Sequence, residues 1–204
     1  MERSIVMTSE EAAWVARAKA GDQAAFAELF TRYERRIYSF VYRMMGNPED
    51  AFDLTQETFL KAYRALGKTD DELNVNAWLH RIAANACTDV LRRRKRVRWL
   101  PWGALDRDGP GERLDGDPAE TRLGAETRQA VQRTLLSQPP HYRQALLLRE
   151  HEGLSCEEIG AAMGLSAAAA KSLLFRARED FRRRYGAPGA ASDGGAPLSA
   201  RAPR

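Results

Sequence analysis

Six of the seven residues in RRRKRVR, Arg92 to Arg98, are basic and none is acidic. Arg81, Asn85, Thr88 and Arg92 lead into this run at i, i+4, i+7 and i+11, which places them on one face of a helix. Guanidinium groups grip phosphates and base edges in a fixed fork, and amide and hydroxyl side chains pair with base edges. A cationic helix end is favoured by its own dipole. Six cations packed together nevertheless repel unless a polyanion lies against them, so contact with nucleic acid is the stronger reading.

A second set is acidic. Asp50, Asp53, Glu57 and Leu60 share a helix face opposite an apolar stripe. Acids near a helix start suit the dipole and make an ordinary solvated face. The competing reading takes the apolar Leu60 among them as a docking handle for a basic partner. Catalysis finds little support. His80, His141 and His151 are scattered, with neither metal-ligand spacing nor a nucleophile beside a base, and no glycine-rich phosphate loop occurs. No enzymatic activity and no cofactor are expected. Cys87 and Cys156 show no pairing pattern, MERSIVMTSEE lacks a signal-peptide core, and no apolar run is long enough to span a membrane. These features point to a reducing cytoplasmic setting without membrane insertion.

The elements that position these residues read as all-α. The 204 residues are 44% hydrophobic and 29% charged, enough for a folded core, and the net charge of +4 is unevenly spread. Phe26, Leu29, Phe30, Tyr33, Ile37, Phe40, Val41 and Met44 recur at steps of three and four, with Asp22 as N-cap and Gly46 as stop. Asn47-Pro48 opens the next helix, whose expected buried stripe is Phe52, Phe59, Tyr63 and Leu66. A third begins near Asn76, with Trp78, Leu79, Ile82, Ala83, Ala86 and Val90 inward. Residues 1–20 read as an N-terminal extension and 21–98 as a first helical domain.

From Trp99 to Arg122 glycine, proline and aspartate break the pattern, giving a linker, 99–122, which between Gly103 and Thr121 sets Asp106, Asp108, Glu112, Asp115, Asp117 and Glu120 against two arginines. A second helical domain, 123–185, follows. Val131, Leu135 and Leu136 form a helix ended by Pro139-Pro140, and Tyr142, Ala145, Leu146 and Leu148 form another. Ser155-Cys156-Glu157-Glu158 is a capping box, Gly164 a turn, and Ser166 the cap of a helix with inner stripe Ala170, Leu173, Leu174, Ala177 and Phe181. That is helix-turn-helix spacing, and the outer Lys171, Arg176 and Arg178 favour DNA over a plain four-helix domain. Residues 186–204 are rich in glycine, proline and small residues and read as a disordered tail.

Both domains resemble one family. GDQAAFAELFTRYERRIYSFVYRMMGNPEDAFDLTQETFLKAYRAL with AWLHRIAANACTDVLRRRKR is similar to region 2, and LSQPPHYRQALLLREHEGLSCEEIGAAMGLSAAAAKSLLFRAR to region 4, of compact extracytoplasmic-function (ECF) sigma factors of the sigma-70 family. The resemblance implies that the chain directs core RNA polymerase to promoters with −35 and −10 elements and helps melt the latter. It implies that Asp50, Asp53, Gln56, Glu57 and Leu60 meet the β′ coiled coil. Asn74, Asn76, Arg81, Asn85, Thr88, Arg92, Arg93, Arg94 and Lys95 would serve the −10 element. Ser166, Ala168, Ala169, Lys171, Ser172, Phe175, Arg176 and Arg178 would serve the −35 element, and the second domain would also touch the β flap. The linker would thread the polymerase cleft, and a cognate anti-sigma factor would mask both domains. Two positions depart from the family pattern: Val75 stands where an aromatic is frequent, and Ala168-Ala169-Ala170-Lys171-Ser172-Leu173 stands where Gly-Thr-Val-Lys-Ser-Arg is common. Alanine methyls touch thymine but cannot hydrogen-bond, so reading through DNA shape is expected at the −35 element. The rival is a stand-alone helix-turn-helix regulator that binds operators by itself.

Overall fold

The computed structural model describes residues 8–70, 73–97 and 122–186. These form eight α-helices, with no strand among the described residues. The first unit holds α1 (Ser9–Lys19), α2 (Gln23–Met45), α3 (Pro48–Ala65) and α4 (Val75–Val97); the second holds α5 (Arg122–Ser137), α6 (Pro140–Leu146), α7 (Cys156–Met163) and α8 (Ala167–Tyr185). Residues 99–121 of the expected linker and 187–204 of the expected tail lie outside the described residues.

Local chemistry sets most helix ends. The Asp22 carboxylate accepts from the Ala24 and Ala25 N–H groups, and Gly46, at φ 76°, ends α2 in the left-handed conformation that glycine adopts without strain. Asn47 caps α3 ahead of Pro48. The Asn74 side chain accepts from the Ala77 N–H and so opens α4.

Two features differ from the sequence reading. Part of the N-terminal extension is helix α1, which buries Val15 and packs Trp14 on the core. The Tyr33 hydroxyl of α2 donates to the buried Glu11 carboxylate, and Lys19 donates to the carbonyls of Thr69 and Asp70 at 2.9 and 2.6 Å. The stripe expected on α3 holds at Phe59 and Leu66 but not at Phe52 and Tyr63. Phe52 and Tyr63 are 56% and 46% exposed, while Ala51, Leu54, Thr55, Thr58, Phe59 and Ala62 are buried. Small residues let α3 lie close to its neighbours. Its contact face therefore centres on them, about a quarter turn from the aromatics, at roughly 100° per residue. The Thr55 and Thr58 hydroxyls donate to the carbonyls of Ala51 and Leu54, so neither is stranded in the core.

In the second unit, α7 and α8 meet at 95°. Ser155 and Glu158 exchange both bonds of a capping box, Gly164 at φ 69° makes the turn, and Ser166 caps α8. Gly160 carries a separate requirement. A Cβ there would lie 2.7 Å from the Leu165 carbonyl, so only glycine lets α7 pack against the start of α8. The buried Arg143 of α6 donates to the carbonyls of Leu135, Leu136 and Gln138 at the end of α5, and also to Met44 near the end of α2.

Buried residues of both units join in one apolar core. A Cβ on Gly46 would come within 2.7 Å of Leu136 across the junction. Replacing Arg143 with methionine keeps apolar volume but strands these helix-end carbonyls. The expected loss is about 3 kcal/mol or more, read as a lower urea midpoint with the helical signal retained before the transition.

Candidate nucleic-acid interface

Three faces carry the residues named from sequence. On α3, Asp53, Gln56, Glu57 and Leu60 are exposed, Leu60 at 57%. Asp50 is only partly exposed, because its carboxylate meets the Arg94 guanidinium at 2.7 Å. Phe52 joins this ridge one turn before Gln56. The sequence pattern alone places it in the core; the signal against that is the set of small residues Ala51, Thr55, Thr58 and Ala62, which claims the buried side of α3 about a quarter turn away.

On α4, Arg81, Asn85, Arg92, Arg93, Arg94 and Lys95 face outward. The other −10 candidates do not. Asn76 is 3% exposed and its carbonyl is 2.8 Å from His80 Nδ1. Asn74 donates to Glu158 of α7 at 2.5 Å, and Thr88 donates to Gln144 of α6 at 3.2 Å. Val75 is buried. On α8, Ser166, Ala168, Lys171, Ser172, Phe175, Arg176 and Arg178 are exposed and Ala169 is half-buried. Phe175, at 67%, is the most exposed of the large hydrophobic side chains among the described residues. Arg178 is held by Glu150 at 2.6 Å.

Parts of α4, α6 and α8 line a cleft of about 510 Å³, and of the −35 set only Ala169 and Arg176 reach it. Asn85, Thr88, Asp89 and Arg92 line it from α4, Leu165, Ala169, Leu173 and Arg176 from α8 and the turn before it, and His141 and Gln144 from α6. Beside it lies a cluster that the sequence did not reveal. Glu152, 1% exposed, follows α6 in the second unit and points into the first. Arg36 Nε of α2 reaches its carboxylate at 2.5 Å, His80 Nε2 of α4 at 3.0 Å and His151 Nδ1 at 2.6 Å. His80 Nδ1 faces the Asn76 carbonyl at 2.8 Å. Burial pushes the Glu152 carboxyl up, but hydrogen bonds from His151 and His80 and the charges of His80 and Arg36 outweigh it and hold the group well below its ordinary value. Two histidines that looked unrelated in sequence thus share one carboxylate. Cys87 is fully buried, and burial pushes its thiol up to about 12, which makes it a core residue and not a nucleophile.

Two family models match the chain: sigma-70 region 2 over residues 29–97 and sigma-70 region 4 over 128–181. The chain is 40% identical over 172 residues to the ECF RNA polymerase sigma factor SigE of Mycolicibacterium smegmatis, covering 79% of itself and 63% of that protein. It thus spans less than two thirds of that relative. It is 31% identical over 170 residues to the ECF RNA polymerase sigma factor SigW of Bacillus subtilis, covering 81% of itself and 91% of SigW. Its fold is similar to that of CnrH, solved in complex with the cytosolic domain of CnrY, with a TM-score of 0.59, 26% identity, and coverage of 86% of this chain and 96% of CnrH.

The Glu152 cluster sets a pH dependence. A carboxyl depressed in the folded state binds its proton more readily once unfolded. Its contribution is therefore complete above the ordinary glutamate value of 4.5 and lost as pH falls below it. Urea unfolding at pH 7 and pH 4 should show wild type losing roughly 0.8 kcal/mol more than Glu152→Gln over that interval.

Proposed function

The chain belongs to the sigma-70 family, in its ECF group, and we propose on that premise that it binds core RNA polymerase and directs promoter-specific initiation. One observation carries the reading. The exposed ridge of α3, apolar at Phe52 and Leu60 and acidic at Asp53 and Glu57, coexists with two exposed basic faces on α4 and α8. An operator-binding regulator needs only the α8 face; the α3 ridge fits a basic helical partner, here the β′ coiled coil. Phe52, Asp53, Gln56, Glu57 and Leu60 form that docking surface, and Asp50 joins it once exchanged from Arg94.

Arg81 and Asn85 stand ready to hold an unstacked −10 base, with Arg92 to Lys95 on the flanking phosphates. The Ala168–Ala169 end of α8 approaches the −35 major groove closely but carries no donor, so Lys171, Ser172 and Arg176 position the helix mainly through phosphates. Phe175 adds an apolar contact. The second unit also meets the β flap, and the linker follows the polymerase cleft. The chain performs no chemistry itself; the polymerase does. It works in the cytoplasm, and an anti-sigma factor is its natural antagonist. No single helix among the described residues is long and apolar enough to cross a membrane.

The test is transcription by core polymerase on a pool of genomic fragments, with and without the chain, followed by 5′-end mapping. Specific starts sharing two spaced upstream elements support the proposal. Tight duplex binding by the chain alone, with no such starts, favours the operator-binding regulator. Leu60→Asp should weaken core binding about 30-fold or more in a fluorescence titration, the scale of an interface hot spot. Arg176→Ala should weaken binding to the upstream element roughly tenfold, evenly across sequences, and lower the salt slope by about 1.

A further inference from the structure

The cations that line the cleft differ from their neighbours on the same helices. Arg94 is paired with Asp50 at 2.7 Å and Arg178 with Glu150 at 2.6 Å. Arg92 and Arg176, which line the cleft from α4 and α8, meet no carboxylate among the described residues. Arg176 Nε donates only to the Ser172 carbonyl of its own helix, at 3.4 Å. Asp89 lines the same cleft one turn before Arg92, yet it forms no ion pair among the described residues. Two guanidinium groups around one cavity are favoured when an anion joins them, and their planar forks suit phosphate oxygens.

The rest of the lining is divided in character. Met163, Leu165 and Leu173 give it an apolar part, with Leu165 39% exposed. Thr88 donates to Gln144 at 3.2 Å, so these two polar groups already satisfy each other. Asn85 is exposed and forms no hydrogen bond among the described residues, which leaves its carboxamide for a ligand. A carboxamide pairs in bidentate fashion with the N6/N7 edge of adenine. A carboxylate accepts from ribose hydroxyls, the role Asp89 is free to take. The volume of about 510 Å³ lies in the range that takes one small molecule, with apolar lining and a few polar groups to orient it.

We propose that this cleft is a binding site for an adenine nucleotide. Arg92 and Arg176 hold its phosphates, Asp89 its ribose and Asn85 the edge of its base, whose face packs on Met163, Leu165 and Leu173. Asp89 also sets the selectivity. It repels a bare anion but accepts from hydroxyls, so a nucleoside phosphate is preferred to phosphate alone. A nucleoside without phosphate forgoes both charge-assisted contacts. The site stands on these side chains whatever the chain's role. Only its consequence rests on the sigma-factor reading: a nucleotide there occupies Asn85, Arg92 and Arg176, three members of the promoter sets, and so competes with promoter DNA.

The experiment is titration calorimetry of the full chain with ADP, adenosine and pyrophosphate, with neither polymerase nor promoter present. The expected result is saturable one-to-one binding of ADP with a Kd below about 1 mM, and adenosine and pyrophosphate each weaker by roughly tenfold or more. Arg92→Gln and Arg176→Gln should each weaken ADP about tenfold, the scale of one lost hydrogen bond to a charged group. Arg133→Gln, which removes an exposed cation of α5 outside the cleft, should leave ADP binding unchanged, and circular dichroism would show that every variant keeps its helicity. Asp89→Asn should narrow the preference for ADP over pyrophosphate. Absence of saturable ADP binding overturns the site. So does pyrophosphate binding as tightly as ADP, or an equal loss in Arg133→Gln, since either leaves only a basic surface. Intact ADP binding beside a failure of specific initiation with core polymerase overturns the sigma-factor reading and leaves the nucleotide site standing.

Discussion

Arg143 is a cation 5% exposed, and the carbonyls it meets belong to the ends of two helices. Helix C-termini carry partial negative charge and unsatisfied carbonyls, so they stabilise a buried guanidinium much as an acid would. Burial lowers its pKa to about 10, which leaves it charged at neutral pH. What it fixes then fixes α8. The α5–α6 turn is held in place, and there Gln138 donates to the Ala177 carbonyl at 3.0 Å and to the Asp180 carboxylate at 3.2 Å. Arg184 of α8 returns a bond to the Ser137 carbonyl and pairs with Asp180. The orientation of the reading helix thus traces back to one side chain two helices away.

The two units are held together by a different balance. Within the first unit the core is deep and apolar, with Ile37, Phe40, Val41 and Met44 fully buried on α2. At the junction, apolar contact such as Leu136 over Gly46 is interleaved with ionic and amide contacts. Apolar burial gains free energy in proportion to area, whereas ionic contact only breaks even but demands a particular geometry. The first kind of contact makes each unit stable, and the second makes their relative placement specific without making it permanent.

What the sequence made legible was what neighbouring residues decide. Asp22, Asn47, Ser155 with Glu158, and Ser166 cap helices through bonds spanning two or three residues, and the turn glycines Gly46 and Gly164 stand where the backbone needs a positive φ. The helix-turn-helix was readable for the same reason. The face of α3 was legible only at Phe59 and Leu66, because close approach through Ala51, Thr55, Thr58 and Ala62 turns Phe52 and Tyr63 outward. Helix α1 was missed because its bonds to Tyr33, Thr69 and Asp70 lie far along the chain. Asn76 carried the right chemistry for a base contact, but its place one turn before His80 turned it inward. The Glu152 cluster was out of reach altogether, since Arg36 and Glu152 are 116 residues apart and nothing local links them.

Glu152 points inward because of the turn just before it. Leu147–His151 is a single π-helical turn, in which the Glu152 N–H bonds to the Leu147 carbonyl at 3.1 Å, five residues back. Such a turn holds one residue more than an α-helix would use over the same rise. Deleting one residue from it would restore α-helical winding and rotate everything after it by about 100°. The carboxylate would swing off Arg36 and His80 while its chemistry stayed intact. Chain length in this segment is therefore a stricter requirement than residue identity, and the join between the two units is set by counting as much as by side chains.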